Sequence, residues 1–465
     1  MRITFHGAAQ TVTGSRHLVS VNGSQLLLDC GLFQGRRADT YTRNLDFPFE
    51  ARQLGAVLLS HAHLDHCGNL PSLAQDGFSG AIHGTHATCH LADLLMRDAA
   101  NIQESDAAYV NKRHARTGEP PVKPLYTVPD AVAAAGQLVS QDYERPFSPL
   151  PGVTARLVEA GHILGSAAII LELEEHGRKV RLMFSGDIGR RGLPIIRDPV
   201  LPDDVDYLIM ECTYGDRSHE PPEQAYEDMK AVVWRTFKRG GKLIIPAFAV
   251  GRTQTLVYFL REMIEQKEIP RIPVFVDSPL AVSVTDIFEA HPQFFDEEAQ
   301  AILRAHPRGE PFGFDLLTFT RSVDESKAIN ERKGPLVIIS ASGMAENGRI
   351  LHHLRNNIGD SRNTVLITSW MAPHTLGRRL VERQPRVKIF GEEYEVRAEV
   401  AAVDGLSAHA GQEFLLTYAR AVRGRAHDIF LVHGEPGPAA ALQEKLGDMG
   451  STAVHYPEPG QSFDL

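Results

Sequence analysis

Hydrophobic residues change their rhythm twice along this chain. From Met1 to about Asp206, short apolar runs broken by Gly, Asn or Pro recur, often alternating with polar positions. Examples are Arg2–Phe5, His17–Val21, Gln25–Asp29, Ala56–Ser60 and Val180–Ser185, and this is the pattern of β-strands. Two segments keep helical spacing instead, His86–Gln103 and Asp130–Leu138. A strand-rich α/β layer structure is expected over residues 1–208.

After about Tyr207 a different unit repeats: a wholly apolar strand, a Gly or Pro turn, then a helix. Lys242–Phe248 leads through Gly251 into Thr253–Ile264, and Ile272–Val276 leads through Pro279 into Val282–Ala290. Pro335–Ser340 leads into Gly348–Leu354, and Thr364–Ser369 into Leu376–Val381. Strands apolar on both faces that alternate with helices imply a parallel sheet covered by helices. Beyond Val387 the alternating pattern returns at Val387–Phe390, Glu393–Val403 and Ile429–Val432, with a helix at Gly411–Ala421. The pattern therefore predicts an α/β protein in which residues 209–395 form a second domain, inserted between parts 1–208 and 396–465 of the first.

Composition narrows the class. A chain of 465 residues exceeds what one hydrophobic core usually serves. With 43% hydrophobic and 23% charged residues it is neither disordered nor fibrous. The first residues lack a basic stretch followed by an apolar run, and no 18-residue apolar segment occurs, so a cytoplasmic protein without a membrane partner is expected. Four cysteines without a CxxC pair give neither a disulfide framework nor a cysteine zinc site. A net charge of −10 offers no general attraction to a polyanion, so nucleic-acid binding would need local basic residues and metal ions.

The 21 histidines are the unusual feature, because several crowd together. In Leu58-Leu59-Ser60-His61-Ala62-His63-Leu64-Asp65-His66-Cys67-Gly68, four potential ligands follow an apolar strand. Such a loop can turn His61 and His63 towards one point, and Asp65 and His66 towards a neighbouring one, for zinc or a similar divalent metal. His162 in a Gly-flanked turn, Asp187 in Ser-Gly-Asp-Ile-Gly and His433 in Phe-Leu-Val-His-Gly-Glu stand where apolar strands meet Gly-containing loops, as functional groups commonly do. His86, His352, His353 and His374 are read as surface or packing residues.

Taken in order, Asp29, the His61–His66 cluster, His162 and Asp187 resemble the motifs of the metallo-β-lactamase superfamily. Glu211 in Met-Glu-Cys-Thr-Tyr-Gly-Asp, His409 in Leu-Ser-Ala-His-Ala and His433 look like the three extra motifs of its β-CASP family, which cleaves nucleic acids. The opening Gly-Ala-Ala-Gln-Thr-Val-Thr-Gly-Ser, Ser-Gly-Met-Ala-Glu-Asn-Gly-Arg at 342–349 and Leu-Gly-Arg-Arg-Leu at 376–380 are similar to the RNA-cutting branch of that family. That branch includes the endonuclease subunit of pre-mRNA 3′ processing and compact bacterial relatives. His433 favours RNA, since the DNA-directed branch usually carries Val there. The segment Ser369–His374 departs from the Gly-Tyr-Gln version usual in the family.

The resemblance implies an αββα sandwich with an inserted parallel-sheet domain. It implies two Zn2+ ions (or Mn2+ or another divalent metal), one held by His61, His63 and His162, the other by Asp65, His66 and His433, with Asp187 bridging. Asp29 would orient a ligand histidine. Single-stranded RNA is the implied substrate, cut endonucleolytically, and analogy suggests a homodimer. Two metal ions about 3.5–4 Å apart can activate water and clamp a phosphodiester. His409 would be the general acid, with Glu211 on its far nitrogen. Arg252 and Arg349, at strand-to-helix turns, would meet phosphate, as would Ser407 and Arg378. Bases of single-stranded RNA are expected to stack on aromatic rings that the sequence does not single out. One rival reading, a metallohydrolase acting on a small ester or thioester, leaves the insertion, Glu211 and His409 without a role; a second, a non-catalytic RNA-processing scaffold, is disfavoured because all seven metal positions and the proposed acid are intact.

Overall fold

Two packed sheets carry the first compact unit. The computed structural model describes residues 1–35, 37–305, 312–372, 374–447 and 452–465, without the side chains of 37–39. Among these residues, one seven-stranded sheet runs in the order Ser462–Asp464, Arg2–Gly7, Arg16–Val21, Ser24–Leu28, Leu54–Leu58, Ala81–Thr85 and Leu138–Gln141. The other runs in the order Ala453–His455, Asp428–Val432, Tyr207–Glu211, Arg178–Phe184, Ala167–Glu175, Val153–Glu159 and Phe147–Leu150.

Alternation along these strands builds the core. Ile3, Phe5, Val19, Val21, Leu26, Leu28 and Leu58 from the first sheet meet Leu157, Ile169, Leu171, Leu182, Phe184, Ile209 and Phe430 from the second. Residues of opposite parity on the second sheet, such as Val158, Met183, Leu208 and Leu431, pack outward under the helices Gln412–Arg420 and Pro436–Leu446. The helix His86–Thr117 lies against Ala81–Thr85 and Leu138–Gln141. The layers are therefore those of an αββα sandwich.

The second unit is built on a parallel sheet in the order Leu317–Phe319, Val274–Val276, Leu336–Ser340, Lys242–Pro246, Thr364–Ile367 and Glu399–Ala402. Helices Arg349–Asn357 and Leu376–Val381 cover one face through Ile350, Leu354, Leu376 and Leu380, packed with Ile244, Ile338, Val365 and Ile367 of the strands. The hairpin Arg386–Ile389/Glu392–Glu395 joins the same cluster through Val387 and Ile389.

The division of the chain differs from the expected boundaries at 208/209 and 395/396. The first unit comprises Met1–Arg191, Asp198–Ser218 and His409–Leu465; the second comprises Gly192–Arg197 and His219–Ala408. Strand Tyr207–Glu211 stays with the first unit because it pairs with Arg178–Phe184 and Asp428–Val432. Strand Glu399–Ala402 stays with the second because it pairs with Thr364–Ile367. The helix expected at His86–Gln103 runs on to Thr117, since nothing breaks it before Gly118, which takes the left-handed conformation (φ 76°). The helix expected at Asp130–Leu138 spans Val128–Ala135, started earlier by a Thr127/Asp130 capping box, and Leu138 opens a strand. No helix of the described residues is long and apolar enough to cross a membrane.

Candidate metal centre

Strand ends assemble the histidines of the first unit. Leu54–Leu58 runs out into Leu59-Ser60-His61, and His63 caps the four-residue helix Leu64–Cys67, which places Asp65 and His66 in a single turn. The N–H groups of Ser15, Cys30 and Leu32 donate to the carbonyls of Asp65, His66 and Leu64, each at 2.8 Å, and pin that turn down. His162 and Asp187 stand in loops that follow Val153–Glu159 and Arg178–Phe184. Gly189 lets these loops close on each other: a Cβ there would come 1.7 Å from the Gly161 carbonyl oxygen. Glu211 ends Tyr207–Glu211, and His433 follows Asp428–Val432 in the left-handed region (φ 50°).

Donor atoms converge in two disjoint sets, His61/His63/His162/Asp187 and Asp65/His66/His433, and in a third, Asp187/His409/His433, that draws one residue from each. In the first, His63 Nδ1 is 3.1 Å from both His61 Nε2 and His162 Nε2, and Asp187 Oδ2 is 3.4 Å from each of the latter two. Tetrahedral zinc with bonds of about 2.0–2.1 Å needs donors about 3.3–3.4 Å apart. In the second, His433 Nε2 lies 3.2 Å from His66 Nε2 and 3.4 Å from Asp65 Oδ2. Asp187 links the sets, since its other oxygen, Oδ1, is 3.2 Å from His66 Nε2.

The arrangement fits cations. A neutral imidazole brings one N–H and one lone pair, so three ring nitrogens at one point cannot all satisfy each other. Asp187 Oδ1, though buried, accepts no hydrogen bond among the described residues.

Bonds on the far side decide which nitrogen faces inward. Asp29 Oδ2 lies 2.6 Å from His66 Nδ1, and because a carboxylate only accepts, that nitrogen carries a proton. The Ser60 N–H donates to Asp29 Oδ1 (2.7 Å), and Ser60 Oγ donates to Oδ2 (2.9 Å) and accepts from His61 Nδ1 (3.1 Å). Thr213 Oγ1 donates to the His433 carbonyl (2.8 Å) and accepts from His433 Nδ1 (3.1 Å). In each ring Nε2 is thereby turned towards the donor sets. Sequence reading missed Ser60 and Thr213; their one signal is position, Ser60 beside His61 and Thr213 two residues after Glu211.

Charge and burial pull in opposite directions here. Burial, reinforced by the charge on His66, pushes His61 down to about 3, and burial pushes His63 down to about 4, so both rings are neutral and able to ligate at neutral pH. His66 moves the other way: burial disfavours its charge, but Asp187 and Asp29 together hold it well above the usual imidazole range. A metal at His66 Nε2 would release that proton. Burial would raise Asp187, yet His433, His66 and His61 keep it well below the carboxylate range.

His409 sits at the rim with its side chain 21% exposed. Its Nδ1 is 3.0 Å from Glu211 Oε1 and its Nε2 3.9 Å from Asp187 Oδ2. Burial works against the imidazolium, but Glu211 and then Asp187 outweigh it and lift His409 to about 9. Glu211 is itself buried and held by the Ile188 N–H at 2.7 Å. An imidazolium braced by a carboxylate and aimed at a cation site can deliver a proton there.

The four residues expected to contact phosphate, Arg252, Arg349, Ser407 and Arg378, all belong to the second unit. Arg349 is turned inward: its guanidinium donates to Asp277 Oδ1 and to the Arg321 carbonyl, both at 2.7 Å. The buried Asp277 also holds His353 Nε2 at 2.6 Å. Arg378 pairs with Glu382 on the helix surface at 2.7 Å. Arg252 is buried at the start of Arg252–Glu265, and Ser407 is half-buried. Pro373 of the Ser369–His374 segment lies outside the described residues.

Comparison with known proteins adds three domain matches: the metallo-beta-lactamase superfamily over residues 15–231, the Beta-Casp domain over 253–380 and the Zn-dependent metallo-hydrolase RNA specificity domain over 393–457. Ribonuclease TTHA0252 of Thermus thermophilus is 36% identical over 97% of this chain and 97% of its own length. Transcription termination factor FttA is 29% identical in Methanocaldococcus jannaschii, over 94% of this chain and 67% of that protein, and 30% in Pyrococcus horikoshii, over 96% and 69%. Among solved structures, a protein of unknown function from Enterococcus faecalis V583 superposes over 100% of this chain and 99% of that one, with a TM-score of 0.57 at 12% identity, and shows the fold alone.

Proposed function

The chain belongs to the β-CASP ribonucleases of the metallo-β-lactamase superfamily and is a metal-dependent hydrolase; from that premise we propose that it cuts single-stranded RNA internally, with two zinc ions. His61, His63 and His162 would hold one ion, Asp65, His66 and His433 the other, and Asp187 would give one oxygen to each. The observation that carries this reading is the pair of donor sets linked by Asp187, with the Glu211–His409 pair at their rim.

A pair of divalent ions bound there would ionise water near neutral pH and neutralise charge on the phosphodiester. The protein's own residues supply the rest. Asp29, Ser60 and Thr213 hold three ligand rings in the tautomer whose Nε2 faces the sets. His409 Nε2 donates its proton to the departing ribose oxygen, and Glu211 on Nδ1 keeps the ring charged and oriented. The reading includes a cytoplasmic enzyme and a homodimer, the latter to be read by light scattering.

The test is cleavage of internally labelled single-stranded RNA and its DNA counterpart by zinc-loaded protein, beside His409→Ala and Asp65→Ala. Internal fragments from RNA, lost in both variants, support the proposal. Intact RNA at full metal occupancy sinks it, and a chromogenic ester hydrolysed much faster than RNA would move the assignment to small substrates.

A further inference from the structure

Two large aromatic side chains stand exposed beyond the carboxyl ends of two neighbouring strands of the second unit's sheet, Phe248 at 41% and Trp370 at 45%. Phe248 follows strand Lys242–Pro246, four residues beyond Ile244; Trp370 follows Thr364–Ile367, five beyond Val365, the partner of Ile244. The two therefore lie two and three residues past the ends of neighbouring parallel strands. At this place the chain also reverses its course across the sheet. Lys242–Pro246 is followed by Val274–Val276 on one side, whereas Leu336–Ser340 is followed by Thr364–Ile367 on the other. In open α/β sheets such a reversal leaves a crevice outside the carboxyl ends of the strands, where ligands bind.

Phe248 is held in place. Its ring lies on Gly343, where an added Cβ would come 2.8 Å from the ring carbon Cδ2, and its carbonyl accepts from Thr253 Oγ1 at 2.8 Å. Gly343 belongs to the Ser-Gly-Met run that follows Leu336–Ser340. Three adjacent strands thus supply a ring, the floor beneath it and a second ring. A pre-positioned apolar face of this size suits an unpaired nucleobase, which stacks through its π-face whatever its identity. A protein partner would need a far larger contiguous patch.

We propose that Phe248 and Trp370 are the base-stacking residues of this enzyme, each taking a nucleobase of single-stranded RNA. The proposal rests on the ribonuclease reading and names the groups that meet the substrate's bases.

The chain has two tryptophans, so Trp234→Phe leaves Trp370 as the sole indole reporter. Zinc-loaded Trp234→Phe protein is mixed in a stopped-flow instrument with a single-stranded oligoribonucleotide, or with an abasic ribose-phosphate strand of equal length, and emission is read before turnover. RNA should quench Trp370 and the abasic strand should not. Phe248→Leu should raise KM for RNA roughly ten-fold or more, and more than it lowers kcat. Phe248→Tyr should restore KM, which a merely packing role would not require. RNA that is bound and cut with Trp370 emission unchanged, or quenched equally by the abasic strand, overturns the stacking assignment and leaves the ribonuclease standing. RNA neither bound nor cut overturns both.

Discussion

Asp29 and His66 stand 37 positions apart in the chain and meet at 2.6 Å, Oδ2 to Nδ1, with neither side chain reaching solvent. The contact fixes the ring so that His66 Nε2 faces Asp187 and His433. Asp29→Asn puts an amide where four donors, the Ser60 N–H, Ser60 Oγ, Ser15 Oγ and His66 Nδ1, need acceptors. Metal affinity should fall about ten- to a hundred-fold, as read by competition with a chelating dye. Asn tolerates the left-handed φ of 60° found there, so the fold should survive. Unchanged affinity would remove Asp29 from the centre.

Stripping the metal should abolish RNA cleavage and lower the melting temperature. Restoring zinc to about a hundred times its dissociation constant would return about 2.7 kcal/mol of stability per site. Elemental analysis after gel filtration should find two equivalents. One equivalent, with activity restored, would leave one of the two donor sets without its ion.

His409→Ala should lower turnover about a hundred- to ten-thousand-fold. A general acid must carry its proton, and His409 is lifted to about 9 because Glu211 and Asp187 outweigh burial. Activity should therefore fall as pH rises through the alkaline range. Cations beside Asp187 would offset its share and leave Glu211 as the main support. Glu211→Gln should then move the alkaline limb of the kcat profile to lower pH without moving the acid limb. A profile that keeps its alkaline limb in Glu211→Gln would mean that another group donates the proton.

In the second unit Asp277 accepts from Arg349, His353, Thr320 and Ser326, all within 2.7 Å. Asp277→Ala leaves those donors facing a void and should cost about 3–5 kcal/mol, measurable by urea unfolding. Arg349→Gln should lower stability and leave RNA affinity alone. The opposite pattern would return Arg349 to phosphate binding.

The sheets were legible from residues 1–60 and 242–367 because alternation, or its absence, reports directly on which faces a strand buries. Helix Leu376–Val381 is found at its expected limits. The helix from His86 outruns its expectation because its distal turns are polar and exposed, so no apolar stripe marks them. Strand Glu399–Ala402 was read with the closing part of the chain because alternation reports burial but not which sheet a strand joins. Around the metal centre, the histidines of the 61–66 loop announce themselves by density. Ser60 and Thr213 are single hydroxyls whose work depends on neighbours that only the fold supplies. Asp277 and His353, 76 positions apart, leave no local trace of their pairing.

The first unit is split by the second: His61 through Glu211 precede the insertion, while His409 and His433 follow it. Made at about 5–20 residues per second, the chain spends roughly ten to forty seconds on residues 219–408. Throughout that interval the nascent protein carries His61, His63, His162 and Asp187 but has neither His409, the proposed proton donor, nor His433, the proposed last ligand. A ribonuclease is translated from RNA on a particle made of RNA, and on the proposed mechanism it would be unable to cut there until His433 has been added.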